Sequence, residues 1–240
     1  MHTLQLVVIA TLVLVHLFSG RLRFLDVTPR SRWLSVAGGI SVAYVFVHVF
    51  PELQEAQHEL DGSLGLTWLD HHVYVVAMLG LVAFYGLERV VQREGPERGD
   101  PARDANDAAV FRLHVGMFAL YNALIGYLLV HRVEQEARGL LLFAFAYALH
   151  FVVNDHGLAS HHQARYRRVG RWLLSAAVLV GWLVGLALEV SEAVVHVLFA
   201  LLAGATILNV LKEELPEERQ SRFLPFLGGA VGYAALMLAL

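Results

Sequence analysis

The 18 Lys and Arg residues of this chain all lie between, or at the ends of, eight long apolar stretches, at roughly 4–20, 33–53, 70–90, 110–130, 139–160, 171–190, 193–212 and 223–240. Sixteen of them fall in alternate connections: Arg21, Arg23, Arg30 and Arg32; Arg89, Arg93, Arg98, Arg103 and Arg112; Arg165, Arg167, Arg168 and Arg171; Lys212, Arg219 and Arg222. The intervening connections hold only Arg132 and Arg138. Carrying basic side chains across a bilayer is costly, so they collect in loops on the cytoplasmic side. The alternation predicts an all-α polytopic membrane protein that crosses eight times. Both termini are expected outside, and the location expected is the plasma (inner) membrane.

Composition agrees with this reading. Apolar residues make up 57% of the chain, charged residues 16%, and mean hydropathy is +0.57. Each stretch is about 17–22 residues long, against the roughly 20 that cross a hydrocarbon core. Residues 1–240 are then a single transmembrane domain, with no room for a separate soluble one. No basic patch interleaved with aromatics points to nucleic acid. With no cysteine, disulfides and thiolate metal ligands are excluded. The first stretch lacks a basic residue ahead of it and carries Arg21 and Arg23 after it, so it reads as a retained helix rather than a cleaved signal.

Residues 92–106, rich in Gly, Pro, Asp, Glu and Arg and free of aromatics, are predicted to form a flexible cytoplasmic loop. The short connection from His131 to Arg138 makes the fourth and fifth stretches antiparallel neighbours, which groups the helices three, two and three. A repeat supports that grouping. The second stretch carries Gly39-Ile40-Ser41 and ends His48-Val49-Phe50-Pro51-Glu52, and the seventh carries Gly204-Ala205-Thr206 and ends Leu215-Pro216-Glu217. The charge alternation runs these two in opposite directions, as expected of inverted three-helix repeats around a central pair. The pairs Gly181/Gly185 and Gly228/Gly232 predict close backbone packing, against a neighbouring helix or a second copy in a homodimer.

Polar side chains inside a bilayer are expensive, and three groups stand out. The first is the central pair: Asn122 beside Tyr121 on the fourth stretch, with His150, Asn154 and Asp155 on the fifth. His150 and Asn154 share a helix face, and Asn122 and His150 both fall near the midplane. Nitrogen and oxygen donors there suit zinc, iron or manganese. They suit an interhelical hydrogen-bond network equally well, and both readings stay open. The second group is an acidic, His-rich outer mouth of His48, Glu52, Glu55, His58, Glu59, Asp61, Asp70, His71 and His72, whose field would concentrate cations. The third, at the inner end of the fifth stretch, is His156, His161 and His162, beside Arg165, Arg167 and Arg168, a candidate exit.

These features resemble the ZIP family of divalent metal transporters (Zrt-, Irt-like proteins). Further points of likeness are the helix ending His48 to Leu53, the run from Leu79 to Glu88, and the small pair Ala203-Gly204. The resemblance implies eight helices in a 3+2+3 arrangement. It also implies movement of a divalent metal, zinc foremost, as cargo, with the lipid bilayer as surroundings, no resident cofactor and no enzymatic step. The family's fourth helix typically reads His-Asn-x-Pro-Asp-Gly, where this chain has Phe118-Ala119-Leu120-Tyr121-Asn122-Ala123. Its fifth reads His-Glu-x-Pro-His-Glu, where this chain has His150-Phe151-Val152-Val153-Asn154-Asp155. Carried over, His150 is the one intact ligand, Asn122 and Asn154 are neutral stand-ins, and Asp155 is a shorter acid. A core with one carboxylate is expected to hold metal weakly. The alternative reading is a ZIP-fold membrane protein that has lost transport and serves a structural, sensory or partner-binding role. A metal hydrolase site is disfavoured, because adjacent Asp155 and His156 point about 100° apart on a helix and do not converge with His150.

Overall fold

Backbone groups with no water to bond must be satisfied within their own segment, and for long apolar runs the helix is the solution. The computed structural model describes residues 2–22, 31–61, 72–92, 101–131, 137–214 and 222–239. Among these residues the regular structure is entirely helical. The helices are α1 (His2–Phe18), α2 (Arg32–Tyr44), α3 (Phe50–Asp61), α4 (His72–Gln92), α5 (Pro101–His131), α6 (Ala137–Arg165), α7 (Arg171–Ala187), α8 (Glu192–Glu214) and α9 (Phe223–Ala239).

Among the described residues, six helical segments are long and apolar enough to cross a membrane: Arg32–Leu60, His72–Val90, Ala108–His131, Gly139–His162, Tyr166–Ala187 and Glu192–Lys212. The first and eighth stretches form apolar helices of 17 residues each, α1 and α9, at the short end of the range that spans a bilayer. The outside of the bundle is apolar. Trp33, Leu120, Val180, Val231 and Leu238 are exposed, Leu238 at 79%, while His16, Asn122, His150 and Asp155 are buried. A soluble protein reverses that pattern, and a lipid surround explains it.

Two helix ends depart from the sequence expectation. The second stretch does not stop near residue 53. A π turn at Val45–Val49 joins α2 to α3, and the helix runs through Pro51 to Asp61. Within this turn the Phe50 N–H bonds back to the Val45 carbonyl, one residue further than in an α-helix. The widened turn makes room for the Pro51 ring, which would otherwise press on the carbonyl four residues before it. At the other boundary, Pro101 opens α5, where its missing N–H costs nothing. Residues 101–106, predicted as part of the flexible loop, are therefore the first turns of α5, while residues 93–100 lie outside the described residues.

Glycines weld three pairs of sequence-distant helices, which make the most extensive contacts of the fold. In α5 and α7, Gly181 lies on the Ala123 backbone and Gly185 beside Tyr127 and Val130, so the two helices run parallel. In α4 and α8, Gly204 rests on Ala77 and Leu81 while Lys212 meets Glu88, again parallel. In α2 and α9, Gly39 meets Phe226 and Ala230, and the Arg222 N–H donates to Ser35 Oγ. A Cβ at Gly39, Gly204 or Gly181 would collide with backbone, so only glycine permits the approach. The predicted contact through Gly181 and Gly185 is therefore present. Gly228 and Gly232 meet no other helix of the chain among the described residues: neither would bring a Cβ within 4 Å of a neighbour, and Gly229 packs on Val36. Neighbouring helix residues point about 100° apart, so Gly228 lies on another side of α9 from the packed Gly229.

Opposed to these parallel pairs, α5 and α6 run antiparallel, since Tyr121 meets His150 and His114 meets His162. The α2–α3 segment also runs opposite to α8, with Glu59 against His196 and Ser41 sharing a cavity wall with Thr206 and Val210. Polar groups from α1, α5, α6 and α8 thereby meet inside the bundle.

Candidate functional site

Among the described residues, three polar groups stand out in the bundle, one in the middle and one near each end. The middle group is built on α5 and α6, as their sequences predict, but α1 contributes a residue that the sequence reading passed over. His16 Nδ1 lies 3.0 Å from both carboxylate oxygens of Asp155, and His16 Nε2 lies 3.1 Å from Asn122 Oδ1. Asn122 Nδ2 donates to the Phe118 carbonyl at 2.7 Å, which leaves its oxygen toward the imidazole. Both ring nitrogens thus face oxygen atoms. Ser19 Oγ, one turn beyond His16, donates to Asp155 Oδ2 at 2.7 Å. Phe151 stacks on the imidazole with ring centroids 4.3 Å apart and holds its plane.

The remaining predicted core residues form a second, adjacent set. Tyr121 Oη and Asn154 Nδ2 both approach His150 Nε2, at 2.9 and 3.0 Å, and Tyr121 Oη also lies 2.8 Å from Thr206 Oγ1. His150 and Thr206 border a cavity of about 10 Å³ with Ser41, Tyr44 and Tyr147, roughly the least that admits one water. The four residues singled out as ligands are therefore buried close together but divided. His150 meets Tyr121 and Asn154, whereas Asp155 and Asn122 face His16. That division follows from sequence position, since Asp155 stands one residue past Asn154 and turns to another side of α6. Among the described residues, no three His, Asp or Glu side chains converge as a metal-ligand set.

At one end of the bundle lies an open cavity of about 640 Å³. Its lining includes five carboxylates, Glu52, Glu55, Glu59, Glu189 and Glu192, and three histidines, His48, His131 and His196. His48 Nε2 pairs with Glu52 at 2.8 Å and His196 Nε2 with Glu59 at 2.5 Å. His131 Nε2 lies 3.0 Å from the Gly185 carbonyl. The predicted mouth is thus present in His48, Glu52, Glu55 and Glu59, and it is extended by residues from the ends of α5, α7 and α8. Two predicted members do not line it. His72 is buried, with Nδ1 3.3 Å from Gln57 Nε2, because the Gln57 side chain draws the start of α4 onto α3. His58 is exposed on another side of α3. Asp70 and His71 lie outside the described residues, as does the side chain of Asp61.

The opposite end carries the third group. Glu88 of α4 is buried between Lys212 Nζ at 2.6 Å and His114 Nε2 at 3.3 Å, and His114 Nδ1 lies 2.9 Å from His162 Nε2. Of the predicted exit residues, His162 joins this group, His161 sits exposed next to it, and His156 is half-buried on the turn between it and the core. Glu88 and His114 carry the signal that would have identified them, an ionisable residue within a membrane-length helix.

In comparison with known proteins, no family model and no curated protein matches the chain.

Proposed function

We propose that this chain is a ZIP-like membrane protein of eight spans in a 3+2+3 arrangement, with both termini outside, and that it carries divalent cations such as zinc through the α5–α6 core. The observation that carries the reading is the alignment of polar groups along one bundle: the vestibule of five glutamates and three histidines at one end, the buried core, and the Glu88–His114–His162 group at the other. In an apolar bundle such groups are costly and usually mark a path. The vestibule's negative field raises the local cation concentration, and carboxylate and imidazole suit borderline divalent metals. The charge alternation of the connections puts the vestibule on the outer face. Core residues Asn122, His150, Asn154 and Asp155 then act as weak, exchangeable ligands, as release on the far side requires.

Zinc flux into proteoliposomes tests this. The intact protein is expected to exceed protein-free liposomes, and His150→Ala to lower the flux at least about tenfold, the loss of one good ligand contact. Flux unchanged by His150→Ala removes the pathway assigned here.

A second reading, a ZIP-fold protein that no longer transports, draws on one feature: the polar atoms of the core are bonded largely to one another. Flux from the intact protein no greater than that of empty liposomes is its signature.

A further inference from the structure

We infer that His16 is a tethered occupant of the core cation site: its ring, carried in on α1, takes the position that a metal ion held by Asp155 and Asn122 would take, and so restrains passage. The inference rests on the transport reading for what is restrained, but not for the occupancy itself.

The argument begins with the donors. Asp155 is the single carboxylate among the core residues of α5 and α6, hence the one group there that offsets cationic charge at short range. Both its oxygens face His16 Nδ1, and one also receives Ser19 Oγ. The Asn122 oxygen, the next donor available to a cation, faces the other nitrogen of the same ring. An N–H donor and a metal ion compete for the same lone pairs, so the imidazole stands where a cation bridging Asp155 and Asn122 would sit. His16 is fully buried, and its ring fills the space between the two oxygen donors and Phe151. Phe151 stacked on the ring opposes its swinging aside within a fixed α1. Release therefore requires α1 itself to shift; His16 and, just past the helix end, Ser19 hold it to the core, and the Val13 carbonyl accepts from Ser175 Oγ at 3.4 Å.

The consequence reverses the usual outcome of deleting a polar residue from a transport core: loss of His16 should open the site. Zinc binding to the purified full-length protein, measured by calorimetry, and zinc flux in proteoliposomes test it on the intact protein, His16→Ala, His16→Gln and each combined with Asp155→Asn. Zinc held by the vestibule is common to all of these and cancels. His16→Ala is expected to gain a zinc site at least about tenfold tighter than any Asp155-dependent binding in the intact protein, to lose it when Asp155→Asn is added, and to carry zinc faster. His16→Gln keeps an N–H directed at Asp155, and with it the fold, and should show a smaller gain in the same direction; it decides the matter if the alanine variant does not fold. No Asp155-dependent gain in the folded variant overturns the inference, whatever the flux. An Asp155-dependent gain with no flux from any variant upholds the occupancy and removes the transport reading instead.

Discussion

Asp155 in the core and Glu59 in the vestibule are both carboxylates that meet a histidine, yet their surroundings differ. The Asp155 side chain is 0% exposed and receives His16 and Ser19 within 3.0 Å, whereas Glu59 pairs with His196 while 54% exposed. Inside the bundle, desolvation is severe enough that each charge must be matched by fixed donors. At the mouth water supplies the missing bonds, the ion pair is worth little, and the carboxylate stays available to exchange partners. The same chemistry therefore gives a closed junction in one place and a solvent-exposed, exchangeable acid in the other. A path for cations needs both, in series.

The sharpest way to break this comparison is to remove its buried acid. Asp155→Ala leaves His16 and Ser19 facing an apolar hole and should cost about 3–5 kcal/mol of stability, read from unfolding in detergent, because an uncompensated buried polar group remains. Glu59→Ala at the mouth should stay within about 0.5 kcal/mol. Equal losses from the two would mean that the two carboxylates do not differ as described. Gly204→Ala comes next. Its methyl would strike the Ala77 backbone, force α4 and α8 apart and destabilise the bundle by about 1–3 kcal/mol, while Gly232→Ala on the open face of α9 should leave the melting temperature unchanged.

Smaller still is Tyr121→Phe, which deletes the hydroxyl shared by His150 and Thr206 and should cost about 1 kcal/mol in the same assay. A neutral result there would show that the His150 side of the core is less tightly bonded than the His16 side. Glu55→Gln should have the least effect on stability, within about 0.5 kcal/mol. It sharpens the contrast through rate: zinc uptake at low ionic strength should fall, and the difference from the intact protein should vanish in high salt, where the vestibule field is screened.

Much of the helical layout was legible because apolar length and basic connections are strong signals. The boundaries were less so. Pro51 reads as a helix end, and nothing in the local sequence announces the π turn that carries the helix past it. In the core, Asn122, His150, Asn154 and Asp155 were recognisable, since a polar residue in the middle of an apolar stretch needs a reason. His16 met the same criterion. It was passed over because its partners Asn122 and Asp155 lie 106 and 139 residues away, and no local spacing ties them together. The vestibule was half visible for the same reason: Glu52, Glu55 and Glu59 share one helix, whereas His131, Glu189, Glu192 and His196 arrive there only through tertiary packing.

The most direct test of an open mouth in series with a closed core uses the absence of cysteine from the chain. Single-cysteine proteins with Glu55→Cys and Asn122→Cys, in intact cells, are treated from outside with a membrane-impermeant thiol reagent, and the labelling rates are compared. A thiol reacts only where water and reagent reach it, so the account predicts rapid modification at position 55 and at least about tenfold slower modification at position 122. Comparable rates at the two positions, or faster labelling at 122, would contradict it.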